Sequence, residues 1–158
     1  MPLDAGTPNG AVQGALRSLS REAAFGHALL VDDDAADCCL AGVWLLHSYL
    51  DESHSISQGV STPDGSYWHG VMHRREGDYS NAKYWFRRVG GDHPVFAAVA
   101  AACGDPRWSP AEFVDACEAA AAGGRGAERC VETQRLEWAL LFEHCYRAAL
   151  GDLDAAGP

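Results

Sequence analysis

Apolar positions recur along this chain at three- and four-residue intervals, and no stretch alternates apolar with polar. That periodicity predicts helices and no sheet. The first two helices are expected over about 9–19 and 21–30. The acidic run VDDDAAD then supplies a cap and first-turn carboxylates for one long third helix, over about 34–59. The loop STPDG breaks the pattern, and further helices are expected over about 66–76 and 80–89, divided by Gly77-Asp78. An Ala-rich segment over 94–103 is a candidate helix in its own right. Ser109-Pro110 opens another helix over about 109–122, since proline suits the first helical turn. The last spans about 127–150, with Val131, Trp138, Leu141, Phe142, Cys145 and Ala149 as its apolar stripe. The expected architecture is an all-α, single-domain helical bundle of about six helices over residues 9–150, after a leader at 1–8 and before a tail at 151–158.

Composition narrows the function more than the fold. The chain has 158 residues, enough to bury a core without covalent staples. Its formal charge of −10 argues against nucleic acid as a partner. It contains no apolar run long enough for a membrane span and no secretory leader, so a cytoplasmic location is expected. The six cysteines include no CxxC pair and read as buried reduced thiols. Five of the twelve basic residues (Arg74, Arg75, Lys83, Arg87 and Arg88) fall in one segment. A local cationic patch in an acidic chain points to a small anionic or polar ligand, or to internal ion pairs.

That same segment, SYWHGVMHRREGDYSNAKYWFRRVG, carries His69, His73 and Glu76 at i, i+4 and i+7, on one helix face. The long third helix repeats the register with His47, Asp51 and His54, followed by Gln58. A short turn between the two helices makes them antiparallel neighbours, so the stripes should face one another. Neutral imidazole and carboxylate are ordinary ligands for Zn, Fe, Mn or Ni, and an i, i+4 histidine pair can chelate. His54, His69 and His73 are therefore the expected ligands, with Asp51 or Glu76 as carboxylate ligand or general base and His47 facing the substrate. Asp51-x-x-His54 also has the form of the carboxylate-x-x-His element of helical dimetal proteins, for which Glu137 on the last helix could supply a further carboxylate. A mononuclear centre is the simpler construction.

Two other readings use the same residues. Arg74, Arg75, Lys83 and Arg87 are candidates for the substrate's charge, and without a metal Arg74, Arg75 and Lys83 could clamp a carboxylate or phosphate beside a histidine base, as in an isomerase, lyase or cyclase. Tyr67, Tyr79 and His93 are close enough in sequence to contribute to substrate binding. Alternatively, the histidines, carboxylates and arginines form a buried structural network or an interaction surface.

The segments LDESHSISQ, GSYWHGVMHRREGDYSNAKYWFRRVG and LEWALLFEHCYRAAL resemble a family of small uncharacterised bacterial proteins with relatives embedded in fungal chains. The resemblance spans about residues 36–148 and implies no activity, cofactor or substrate. The functional expectation therefore rests on spacing: a small enzyme, dependent on a divalent metal, acting on a small polar or anionic metabolite.

Overall fold

The computed structural model describes residues 1–152, which are helical and contain no strand. A 3₁₀ turn at Gly10–Val12 precedes α1 (Gln13–Arg17) and α2 (Arg21–Phe25). Then come α3 (Asp33–Leu46), α4 (Leu50–Gly59), α5 (Pro63–Glu76) and α6 (Tyr79–Val89). The chain continues through α7 (Pro94–Cys103), α8 (Pro110–Ala121) and α9 (Ala127–Ala149). The described residues thus hold nine α-helices, not about six. No helix among them is long and apolar enough to cross a membrane. Of the expected tail, residues 153–158 lie outside the described residues.

Local chemistry sets most boundaries. Asp32 and Asp78 accept from the backbone N–H groups of Ala35 and Asn81, capping α3 and α6. Thr62 caps α5 by accepting from the Gly65 N–H. Pro63 and Gly65 therefore sit in the first turn of α5, not in a loop, because a proline at N1 forfeits no helical hydrogen bond. Gly77 ends α5 in the left-handed region, at φ 90°, where a side chain would be strained.

The expected long third helix is broken at 47–49. Ser48 adopts φ 64°, the one positive value among described residues other than glycine. The break is held from outside the helix. The buried Arg75 guanidinium donates to the Leu45 carbonyl, one of the last-turn acceptors of α3, and to Ser48 Oγ at 3.0 Å. It also donates to the carbonyls of Asp4 and Ala5, at 3.2 and 3.1 Å, while Gln134 Nε2 donates to that of Pro2 at 2.6 Å. The segment expected as a leader is in this way tied to α5 and α9.

The molecule is built around α5, which packs against α3, α4 and α6, while α9 packs against α3, α7 and α8. Residues Gly65 to Arg75 are buried without interruption. Trp68, Val71 and Met72 join Leu45, Phe86, Val99, Val114, Leu141 and Cys145 in the principal core. Gly42 permits the close approach of α3 and α5, since a Cβ there would lie 2.7 Å from the Trp68 ring. All six cysteines are unpaired.

A helix this polar survives burial only if its charges are matched. Arg74 is fully buried and forms a two-pronged ion pair with Glu137, also fully buried, and lies over the Phe113 ring at 4.5 Å. Its Nε donates to Gln134 Oε1 at 3.4 Å. Glu137→Ala would leave that guanidinium buried and unmatched. The expected loss is about 3–5 kcal/mol, read as a lowered midpoint in urea denaturation with an unchanged slope.

Candidate metal centre

His54 stands on α4, and His69 and His73 stand one turn apart on α5. Antiparallel packing of the two helices brings the three rings together. One ligand atom from each lies within 4.8 Å of the other two. Ring centroids are separated by 4.5 Å for His54 and His69, 4.8 Å for His69 and His73, and 5.4 Å for His54 and His73. His69 and His73 are buried, at 1% and 7% exposure, whereas His54 is half-buried and opens the cluster on the α4 side.

The protonation pattern follows from the hydrogen bonds. His73 Nδ1 is 3.0 Å from Glu76 Oε2, and an ionised carboxylate can only accept, so Nδ1 carries the proton. His73 Nε2 is left with the lone pair, and the Asn81 amide nitrogen approaches it at 3.1 Å. A carboxylate orienting the distal N–H of an imidazole is the usual support of a metal-ligating histidine. His69 differs: its Nδ1 is buried and has no hydrogen-bond partner. Burial first, then the neighbouring His73 and His54, push its pKa down to about 3. Trp85 stacks on the His69 ring at 4.0 Å and fixes its plane. The result is a set of imidazoles in which His69 is held neutral, the form that binds a cation.

The structure brings only part of the expected constellation together. Glu76 joins through His73 while remaining about half exposed. The helix break removes His47 from the His54 stripe, whereas Asp51 stays on α4 with His54 but faces solvent. His47 caps α3, and Asp51 is exposed, on the wall of a shallow hollow with Trp44, Glu52, Ser55 and Ile56. Arg74 and Arg75 do not line the histidine cluster, and every partner described above for them is a protein group. Glu137, considered for a dimetal centre, is committed to Arg74. Lys83 pairs with Asp115 on α8, and Arg87 is exposed. Tyr67 is buried and donates to Glu137 Oε1 at 3.2 Å, its pKa pushed up chiefly by burial. Tyr79 packs at the edge of two core clusters.

Asn81, Trp85 and Asp64 were not anticipated as site residues, whereas His93 was expected to contribute to substrate binding and is held elsewhere. Asn81 and Trp85 touch the triad from α6, at an i, i+4 spacing that a helix-face reading could have found. A second cluster, Asp64, His93 and His144, joins the start of α5 to α7 and α9, and only tertiary packing assembles it. His93 Nδ1 accepts from the Val95 N–H at 3.3 Å, which caps α7 and leaves the ring proton on Nε2. That Nε2 donates to Asp64 Oδ1 at 2.8 Å, and His144 Nε2 lies 3.3 Å from the same oxygen. His93 therefore has no lone pair for a cation without giving up its cap, and the cluster acts as a latch between helices. Burial pushes the Asp64 carboxyl up, but His144 and His93 outweigh it and hold the group well below the ordinary carboxylate range.

Compared with family models, curated proteins and solved structures, the chain matches none.

The lowered Asp64 pKa has a defined sign. Its stabilisation is fully present above the unfolded carboxyl value of about 4 and is lost as pH falls through the lower folded value. Asp64→Asn should therefore cost about 1–3 kcal/mol at neutral pH. The gap from the unsubstituted protein should narrow steadily in urea denaturation series carried below pH 4. A gap that stays constant on acidification would show that Asp64 does not hold the latch as an anion.

Proposed function

We propose that the protein is a divalent-metal-dependent enzyme, with His54, His69 and His73 as the ligands and a small polar or anionic molecule as substrate. The observation that carries the reading is the convergence of three imidazole ligand atoms within 4.8 Å. It is reinforced by the buried, unpartnered Nδ1 of His69, since an orphaned buried nitrogen costs about 1–3 kcal/mol unless something binds it. Three nitrogen donors without thiolate favour Zn, Ni or Fe over Mg or Ca. A set of three protein ligands leaves a coordination position for water or substrate, as catalytic zinc sites do and closed structural sites do not. A metal there would lower the pKa of bound water or polarise a substrate oxygen. Glu76 would fix the His73 tautomer, and Asn81 would have to release the His73 lone pair.

The metal-free alternative is weakened because Arg74 and Arg75 are spent inside the fold. A purely structural network accounts well for Arg74 and Glu137. It accounts poorly for three imidazoles packed together with one nitrogen unpaired.

Elemental analysis of untagged protein should find about one transition-metal ion per chain. Zinc at a hundredfold excess over its Kd should stabilise the fold by about 2.7 kcal/mol, seen as a raised Tm. His54→Ala, at the half-buried position, should abolish that shift while the circular-dichroism spectrum stays native. Absence of bound metal, together with no Tm shift from Zn, Fe, Mn or Ni, would overturn the proposal.

A further inference from the structure

The face that α6 turns toward the histidines is not exhausted by Asn81 and Trp85. Arg88 follows at i+7 from Asn81 and i+3 from Trp85, so the three share a stripe about 10 Å long. Each makes a definite contact: Asn81 meets His73, Trp85 stacks on His69, and the Arg88 guanidinium lies 5.2 Å from the Trp85 ring centre. α5 and α6 run antiparallel, so this order carries the stripe past His69 toward the start of α5. The triad is formed by α4 and α5 and is touched from α6 by Asn81 and Trp85, and Arg88 follows Trp85 in the same stripe.

The cations of this segment divide sharply by environment. Arg74 and Arg75 are buried on protein partners, and Lys83 is paired with Asp115. Arg88 is exposed, makes no ion pair with any described residue, and is held by an aromatic face. A guanidinium stacked this way keeps its N–H edge free for a carboxylate or phosphate, and less side-chain freedom is lost on binding. Arg87, its neighbour, is rotated about 100° away and has no such anchor. A cation near a helix C-terminus has an ordinary electrostatic explanation, but that explanation serves Arg87 equally and does not require the Trp85 stack.

We propose that Arg88 is the anion-binding residue of the triad site, and that the substrate is a small oxyanion: one charged oxygen group held by Arg88, another donor oxygen reaching the metal. The inference rests on the metal reading above and narrows it to a substrate class and a specificity residue.

Cobalt(II) serves as the probe, because its visible spectrum reports both loading and changes at the open coordination position. The full chain and its Arg88→Gln and Arg87→Gln variants would each be loaded with cobalt and titrated with malonate, phosphate and neutral malonamide. All three proteins should take up cobalt equally. Malonate or phosphate should shift the spectrum of the unsubstituted protein and of Arg87→Gln, and malonamide should not. Arg88→Gln should weaken the effective anion at least about tenfold, the loss expected for a charge-assisted hydrogen bond. A preference for phosphate over malonate identifies a phosphate-bearing substrate, and the reverse a carboxylate-bearing one. Cobalt loading with no anion response, or an equal response in Arg88→Gln, would overturn the anion proposal while the metal reading stands. No cobalt uptake would overturn both. Should Arg88→Gln fail to fold, Arg88→Lys keeps the charge but loses the planar stack, and an undiminished response there would equally count against the proposal.

Discussion

Everything in this fold depends on burying a polar helix. α5 passes through the centre of the molecule with His69, His73, Arg74 and Arg75 all enclosed. Each buried charge is expensive unless paired, so the surrounding helices are placed by what α5 needs as much as by apolar packing. Arg74 dictates that α9 present Glu137 and Gln134 at its level. Arg75 dictates where α3 ends, because its guanidinium takes the Leu45 carbonyl that a continuous helix would have used internally.

The same constraint separates scaffold from site. The arginines of α5 are satisfied several times over by protein groups, which makes them structural and removes them from contact with any ligand. The histidines are satisfied incompletely. His73 has Glu76 and Asn81, while His69 keeps a buried nitrogen with no partner. The same helix that gives Arg74 and Arg75 several partners leaves that nitrogen, and the neighbouring Trp68 Nε1, with none. The latch at Asp64 makes a useful contrast, since its carboxylate has drawn both neighbouring N–H groups and closed the cluster on itself.

Much of this was legible in local pattern. Helix caps at Asp32, Asp78 and Ser109 lie where side chains that compete for backbone N–H groups are expected. The i, i+4 pair of His69 and His73, with His54 across a short turn, follows from helical pitch, and the three rings do meet. His47 was expected to share the His54 stripe and does not, while Asp51 keeps its place on α4 but is exposed. Nothing near 47–49 in the chain is a strong breaker: the residues are His, Ser and Tyr, with no glycine or proline. The break is imposed by Arg75, distant in sequence, and by the backbone of residues 4–5.

What the chain determines by itself is therefore what pitch, capping and periodicity can carry: all-helical structure, most helix starts, and which histidines share a face. Those depend on interactions within a few residues. Tertiary structure alone decides which cations are spent and which are free, because Arg74, Arg75, Lys83 and Arg88 are equivalent until their neighbours are known. It also decides that α3 and α4 are separate helices and that Asp64, His93 and His144 meet. In each case the deciding free energy is the desolvation of a polar group, which depends on what long-range packing places beside it.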